Sequence, residues 1–380
     1  MNLALSDEQV FLREAARGAL SRFKTLEAAR EALDGDDSAM PDLWPTAREA
    51  GWPGLLIDEA HGGAGLDAFD AMLVLGECGR VLAGIALLGH LPATAILSDA
   101  ANASDLLADL ATGERRAAYL PAQPPTELDE RWSTDPASGS ARGALPSASG
   151  AGDGRASVTG SIAFVPDAPG ADTLVGVALL DGKPVGVAID ADADGVGIEP
   201  VSRYDATRSL GHVTLESASA LVLDAPEESL AAAWDLAQSL IAAESLGSVE
   251  TALDVSVAYA KERFTFGRAI GSYQAVKHSL TEVLRQLENG RSLLYYAGWA
   301  RAGAPGEFPL AASAARSVGG RALDTAARTM ISVHGGIGAT WEHDAPLYFR
   351  RAQLSRRLLG GTAAATDRVA GELIAQADAA

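Results

Sequence analysis

Apolar residues recur at helical spacing over the first third of the chain. They alternate with polar residues in the middle and return to helical spacing towards the end. Val10, Phe11, Ala15, Leu20 and Phe23 follow one another at helical steps, which predicts an amphipathic helix. Ser6 and Gln9 stand where a capping box would close its start. A second helix is expected over residues 43–50, ending at Gly51, before the glycine-rich loop "AHGGAGLD". "AFDAMLVLGECGRVLAG" and residues 90–110 predict two or three more helices. After Arg116 the period changes. "ASVTGSIAFV", "DTLVGVALL", "KPVGVAID" and "HVTLESASALVL" are short alternating or apolar runs between turn signals, which predict strands, and Tyr119 marks a further one. Residues 123–155 are rich in Pro, Ser, Gly and Ala and are expected to be loop, partly mobile. Helical periods resume over 229–263, 272–302, 309–333, 343–358 and 362–377, with short connections that predict antiparallel packing. No fixed-period repeat is present. The expected fold class is mainly α with a small antiparallel β domain: an N-terminal helical domain (1–116), a middle β domain (117–225) and a C-terminal helix bundle (226–380).

Composition narrows the function. The 380 residues carry a net charge of -20, which disfavours nucleic acid and anionic membranes as bulk partners. An anionic ligand would have to meet local arginines, lysines or helix N-termini. Cys78 is the single cysteine, so no disulfide forms within the chain. The start lacks the pattern of a signal peptide and no apolar run approaches a bilayer span, so a cytoplasmic address is expected. His334 and His343 come without HExxH or CxxC and are expected as turn and cap histidines; no metal is expected. There is no GxSxG elbow, and "HGGIG" follows a helix rather than a strand, so neither a serine hydrolase nor a Rossmann site is indicated. "AYAKERFTFGRAIGSYQAVKH" is more informative. A helix ends near Phe264, Gly267 and Gly271 form a turn, Ser272 is expected to cap the next helix and Gln274 to open it. Arg263 and Arg268 bracket that turn, which suits an anion.

The chain resembles the acyl-CoA dehydrogenase family of flavoenzymes. The resemblance rests on "LSDEQVFLREAARGAL", "AREAGWPGLLIDEAHGGAGLD", "DATRSLGHVTL", "YAKERFTFGRAIGSYQAVKHSLTE" and "SVHGGIGATWEHDAPLYFRRA". It covers both helical ends well and the middle patchily. It implies FAD at a subunit interface of a homo- or hetero-oligomer, a dimer or tetramer, with an acyl-CoA as substrate and an electron-transfer flavoprotein as acceptor. Arg263, Phe266 and Gln274 would contact the cofactor from one subunit. The turn His334, Gly335, Gly336, Ile337 and Gly338 would reach it from a neighbour, and Thr362 in "LLGGT" is assigned to it by the same likeness. Asp205 and Arg208 in "YDATRSLG" would form a structural turn and ion pair. The basic stretch 350–357 is expected as a solvated or subunit-facing surface, or else as a phosphate contact.

The implied reaction removes the α-proton of the thioester while the β-hydrogen leaves as hydride to the flavin. Such a C–H is a weak acid, so a carboxylate with a raised pKa must lie against the substrate. The family's base stands either just before Gly-Thr or on the long helix before the Arg-Phe-Gly turn. Here those places hold Gly360 and Ala237. Glu244 lies two helical turns beyond Ala237 on the same face, with no basic neighbour on its own helix, and is the candidate base. Glu342 and Asp344 are the next carboxylates and are expected to cap the helix after them. The loop that resembles "TEPGAGSD" in the family is missing, its place taken by the Pro/Ser/Gly-rich stretch. Three functions follow: an active FAD-dependent acyl-CoA dehydrogenase with Glu244 as base, a partner subunit without a base in a hetero-oligomer, or a flavin oxidase of the same fold.

Overall fold

The computed structural model describes residues 4–35, 39–134, 143–150, 152–201 and 204–378. Six helices lead: α1 (Asp7–Leu20), α2 (Thr25–Leu33), α3 (Trp44–Glu49), α4 (Ala68–Arg80), α5 (Leu87–Ser98) and α6 (Ser104–Ala111). The capping box is present: the Gln9 N–H donates to Ser6 Oγ at 3.2 Å and the Ser6 N–H to Gln9 Oε1 at 3.1 Å. Asp67 and Asp70 form a second one on α4, and Gln9 Nε2 donates to Asp70 Oδ1 at 3.2 Å, which ties the two helix starts together. Helix α2 had no counterpart in the sequence reading. Its N-cap, Lys24, makes no side-chain capping bond, and the helix is held from outside, by Thr25 Oγ1 donating to the Val81 carbonyl. Helix α5 is buried on every side except at Ser98, so it shows no amphipathic period.

The middle β domain contains β1 (Ala117–Tyr119), β2 (Ser147–Ser149), β3 (Arg155–Pro166), β4 (Thr173–Leu180), β5 (Lys183–Asp190), β6 (Val196–Pro200) and β7 (Leu210–Leu223). Hydrogen-bonded pairs close a ring, β4-β2-β3-β7-β5-β4, with β1 added on β4 and β6 on β7. Two pairings, β1–β4 and β2–β4, are parallel, whereas an antiparallel domain was expected. Alternation reports which face is buried and carries no strand direction. Of the stretch 123–155, residues 135–142 and 151 lie outside the described residues. The rest forms short bridges, Gln123 with Ser133 and Thr134 with Gly143, and then β2.

Helix α7 (Glu227–Glu262) is the axis of the C-terminal bundle; its stretch from Ala233 to Val249 is buried all round. It is followed by a two-stranded hairpin, β8 (Phe264–Thr265) and β9 (Arg268–Ala269), then α8 (Gln274–Gly303), α9 (Phe308–His334), α10 (Ala345–Ser355) and α11 (Gly361–Asp378). Helix α4 crosses α7 at backbone distance. A Cβ on Gly247 would lie 1.9 Å from the Gly76 carbonyl oxygen, and one on Gly79 1.9 Å from that of Glu244. Ser272 does not cap α8. Tyr273 holds the N-cap position, and the Ser272 hydroxyl donates back to the Ala269 carbonyl at 2.7 Å.

The helical and β layers meet at Asp167, which follows β3. Its carboxylate accepts the Gly89 N–H of α5 at 2.8 Å. Burial pushes Asp167 up to about 6, against the pull of Arg208 and the Gly89 bond. The unfolded chain releases this proton near 3.8 and the folded one near 6, so stability is lost as pH rises between those values. Asp167→Asn keeps an acceptor for Gly89 and removes the titration. The substitution should therefore raise stability at pH 7 by about 1–3 kcal/mol and leave it nearly unchanged at pH 4, measured by urea denaturation at both values.

Candidate functional site

Glu244 lies in the middle of α7, buried, and was expected to have no partner on its own helix. Two arginines from other parts of the chain hold it. Arg351 Nη1 of α10 donates to Glu244 Oε1 at 2.6 Å, and Arg208 Nη2, from the turn before β7, donates to Oε2. Arg351 also donates through Nε to Asp205 Oδ2 at 2.6 Å and through Nη2 to Thr207 Oγ1 at 2.6 Å. Burial alone would lower the Arg351 guanidinium, but Asp205 and Glu244 outweigh it and hold it above its ordinary value. Burial likewise opposes the Asp205 charge, and Arg351 and Thr207 overcome it, so that carboxyl lies below its ordinary value. Asp205 and Arg208 are thus structural, as expected, although each pairs with a third residue rather than with the other. Each carboxylate oxygen of Glu244 thus accepts from a buried guanidinium, and the pair ties α7 to α10 and to the turn before β7.

The two customary base positions are closed as well as empty. Ala237 is fully buried. Gly360 adopts φ +73°, and a Cβ there would lie 3.0 Å from Ala364 Cβ, 3.3 Å from Gln123 Oε1 and 3.6 Å from the Trp234 ring. Gln238 Nε2 donates to the Leu359 carbonyl at 3.1 Å. Arg368 of α11 fills the space beside them. It donates to the Pro124 carbonyl at 3.2 Å and stands 3.6 Å from Asp235, a carboxyl that burial pushes up to about 6 against the pull of Arg368. The gap left among these side chains has no room for a water-sized sphere.

The residues assigned to the cofactor fall into two groups. Arg263, Phe266, Gln274, His334, Gly335, Gly336 and Gly338 share one end of the bundle. Helices α7 and α9 both pack antiparallel to α8, so their C-termini emerge together. The His334 ring lies 4.3 Å from Tyr259, one turn before Arg263, and 4.1 Å from His343. The Arg263 corner and the His334 turn, expected from two different subunits, are therefore neighbours within one chain. Phe266 is 97% exposed at φ +51°, at the tip of the hairpin beside Gly267 (φ +80°). A left-handed, solvent-facing phenylalanine costs about 1–2 kcal/mol and points to a role outside this chain's own packing. A Cβ on Gly335 or Gly336 would meet nothing within 4 Å, so a ligand can approach the backbone closely there, although the Gly335 and Gly338 N–H groups are spent on the Ile331 and Gly335 carbonyls at 3.0 Å each. These features fit a flavin dinucleotide.

Thr362 stands apart, in the first turn of α11 and against Gly320 of α9. From Gly320 to His334 the helix advances about 21 Å. Thr362 lines a different feature, a cleft of about 820 Å³ between α8 and α9. Two of its residues, Thr362 and Arg356 of the basic stretch 350–357, had been singled out in the sequence, whereas Arg285 and Arg321, from α8 and α9, had not.

The rest of the C-terminal segment divides its labour. Asp344 leads into α10 without a capping bond from its side chain, which goes instead to Arg30 of α2, while the Ala345 N–H donates to His343 Nδ1 at 3.1 Å. Within the basic stretch, Arg350 covers the Tyr204 and Trp341 rings at 4.1 and 4.8 Å, and Arg351 is buried rather than solvated. Among the described residues no group of three or more His, Cys, Asp or Glu side chains is placed to hold a metal. No helix among them is long and apolar enough to cross a membrane.

Two family models match: "Acyl-CoA dehydrogenase, N-terminal domain" over residues 6–123 and "Acyl-CoA dehydrogenase, C-terminal domain" over residues 233–374. The chain belongs to the acyl-CoA dehydrogenase family. It is an oxidoreductase of that family, acting alone or within a hetero-oligomer, and FAD is the cofactor expected there. Acyl-CoA dehydrogenase IpdE2 of Mycobacterium tuberculosis is 33% identical, over 93% of this chain and 93% of that protein. Acyl-CoA dehydrogenase FadE34 of the same organism is also 33% identical, over 95% of this chain, but the chain spans only 47% of its length. Among solved structures, a variant of the Tcur3481–Tcur3483 steroid ACAD is 29% identical with a TM-score of 0.84, covering 98% of this chain and 99% of that one. The ChsE4–ChsE5 complex from Mycobacterium tuberculosis, 23% identical with a TM-score of 0.83, shares the fold over 98% of this chain and 99% of that one.

Removing the Glu244 carboxylate would leave Arg208 and Arg351 buried and underpaired. Glu244→Ala should cost about 3–5 kcal/mol of folding stability, read as a lower urea midpoint with the same slope. A loss below about 1 kcal/mol would show that the cluster does not hold these elements together.

Proposed function

We propose that this chain is the subunit without a base in a hetero-oligomeric, FAD-dependent acyl-CoA dehydrogenase. A homologous partner supplies the base and most of the acyl pocket. The observation that carries this reading is the state of the three base positions: Gly360 and Ala237 offer no acid, and Glu244 is bound by two arginines. The packing of Gln123, Trp234, Gln238 and Arg368 around Gly360 supports it further, since an acyl chain has no space there.

In this reading the bundle end is the chain's contribution to the cofactor. Arg263 offers a guanidinium to phosphate, and the side-chain-free turn at Gly335 and Gly336 lets the nucleotide lie close to the backbone. Phe266 and Gln274 contact the rest of the nucleotide. When bound, FAD accepts the β-hydrogen of the acyl-CoA as hydride. The half-site on this bundle end and the Thr362 cleft are about 21 Å apart along α9. Each would therefore complete a site on the partner, as a pseudo-two-fold assembly requires. The likeness to a steroid ACAD supports a bulky, ring-bearing acyl group on the partner's side.

The test is to purify the chain alone and together with a homologue, and to follow flavin absorbance on addition of an acyl-CoA. The chain alone should not bleach flavin, and the mixed complex should. In the complex, Glu244→Gln should keep turnover within about threefold per bound flavin, whereas losing a true base costs about 10²–10⁴-fold. A homo-oligomer of this chain that bleaches flavin and loses that activity in Glu244→Gln would overturn the proposal.

A further inference from the structure

The glycine crossing of α4 over α7 leaves a hollow beside it. Gly76 and Gly247 both lie on its floor, so no Cβ stands there, and α1 and α8 form its walls. The space enclosed is about 270 Å³. Its rim is charged. Arg17 of α1 donates to Glu77 through two bonds of 2.9 Å. Arg80 lies 3.7 Å from the same carboxylate and 2.7 Å from Glu250, and Glu250 is 3.3 Å from Arg291 of α8. Cations and anions thus alternate from one wall to the other. Arg13, one turn before Arg17, also lines the hollow and breaks that alternation. It has no carboxylate within 4.0 Å among the described residues, so its planar fork of donors is unspent. Asp254 and Glu288, which pair with Arg80 and Arg291 as well, are not on the lining. The hollow therefore presents four guanidiniums to two carboxylates, each of them already shared by two arginines, in a chain whose net charge is -20.

We propose that this hollow binds a small oxyanion, with Arg13 as its principal ligand and Arg17 and Arg291 beside it. The anion supplies the negative group that the alternating rim lacks at Arg13. A guanidinium fork matches two oxygens of a carboxylate or a phosphate, and a site partly shut off from water strengthens the attraction. The volume lies just below the usual range for drug-sized ligands, about 300–1,000 Å³, so the ligand is short. Inorganic phosphate and a short dicarboxylate present the same oxygens at that size. Once bound, the ion ties α1 of the N-terminal helices to α8 of the bundle. The hollow is about 24 Å from the Arg263 corner along α7, so it is separate from the nucleotide end and does not depend on which subunit holds the base.

The probes are inorganic phosphate and, separately, succinate, added to the full chain at an ionic strength held constant with sodium chloride, while the thermal midpoint is followed. A ligand that binds only the folded chain raises its stability with concentration. At least one probe should raise the midpoint saturably, with half the effect in the low-millimolar range or below. Arg13→Gln should increase the concentration needed by about 10–100-fold, as expected for a lost charge-assisted bond. Arg13 is half-buried and holds no ion pair, so the variant should fold, and circular dichroism checks this. Arg22→Gln removes the same charge from an exposed position just past α1 and should respond as the parent does. A saturable response to phosphate alone assigns a phosphate site, and one to succinate alone a carboxylate site. A response to both shows that the hollow reads the oxygens only. No saturable response to either probe, or the same response in Arg13→Gln and the parent, as general salting would give, would overturn the inference.

Discussion

The buried ion cluster at the centre of α7 is the constraint on which the rest of the molecule depends. Asp205, Thr207, Arg208, Glu244 and Arg351 come from the turn before β7, from the bundle's axis and from α10, and their ion pairs form only when all three are in place. Charged groups removed from water are costly singly and tolerable when fully bonded. The cluster therefore fixes the barrel against the bundle, and the helix that carries the would-be base becomes a structural member.

That arrangement separates two properties an enzyme of this family usually joins. Holding a nucleotide needs cations and a closely approachable backbone at helix ends, and the Arg263 corner and the glycine turn after His334 lie together at one end of the bundle. Abstracting a proton needs a carboxylate in an apolar hollow, and the interior here is packed with Trp234, Gln238 and Arg368 instead. On the reading proposed above, the chain contributes to the first property and leaves the second to a partner.

How much of this was legible in the sequence depends on the range of the interaction involved. The Ser6–Gln9 box, the long bundle helices and the order of helical and β regions are set by residues a few positions apart, and they read correctly. Helix α2 was missed because its hold on the fold is made by Val81 and Asp344, far along the chain. Strand direction was misjudged because alternation carries none. Glu244 illustrates the limit most clearly. Its own helix presents small and apolar neighbours at three and four residues, which suggested an unpartnered acid, while both of its arginines come from distant segments that only the tertiary fold brings near. The α8–α9 cleft was legible only at Thr362 and the basic stretch 350–357, because Arg285 and Arg321 come from helices that only the fold brings together.

Gly360 shows how little a packed turn can be altered one residue at a time. Its backbone is left-handed, Leu359 before it is also at positive φ, and Gln123, Trp234 and Ala364 occupy the room a side chain would need. Putting glutamate there would strain the turn and collide with neighbours at once. Any larger side chain at this position would therefore need compensating changes in its neighbours, so the turn resists piecemeal replacement.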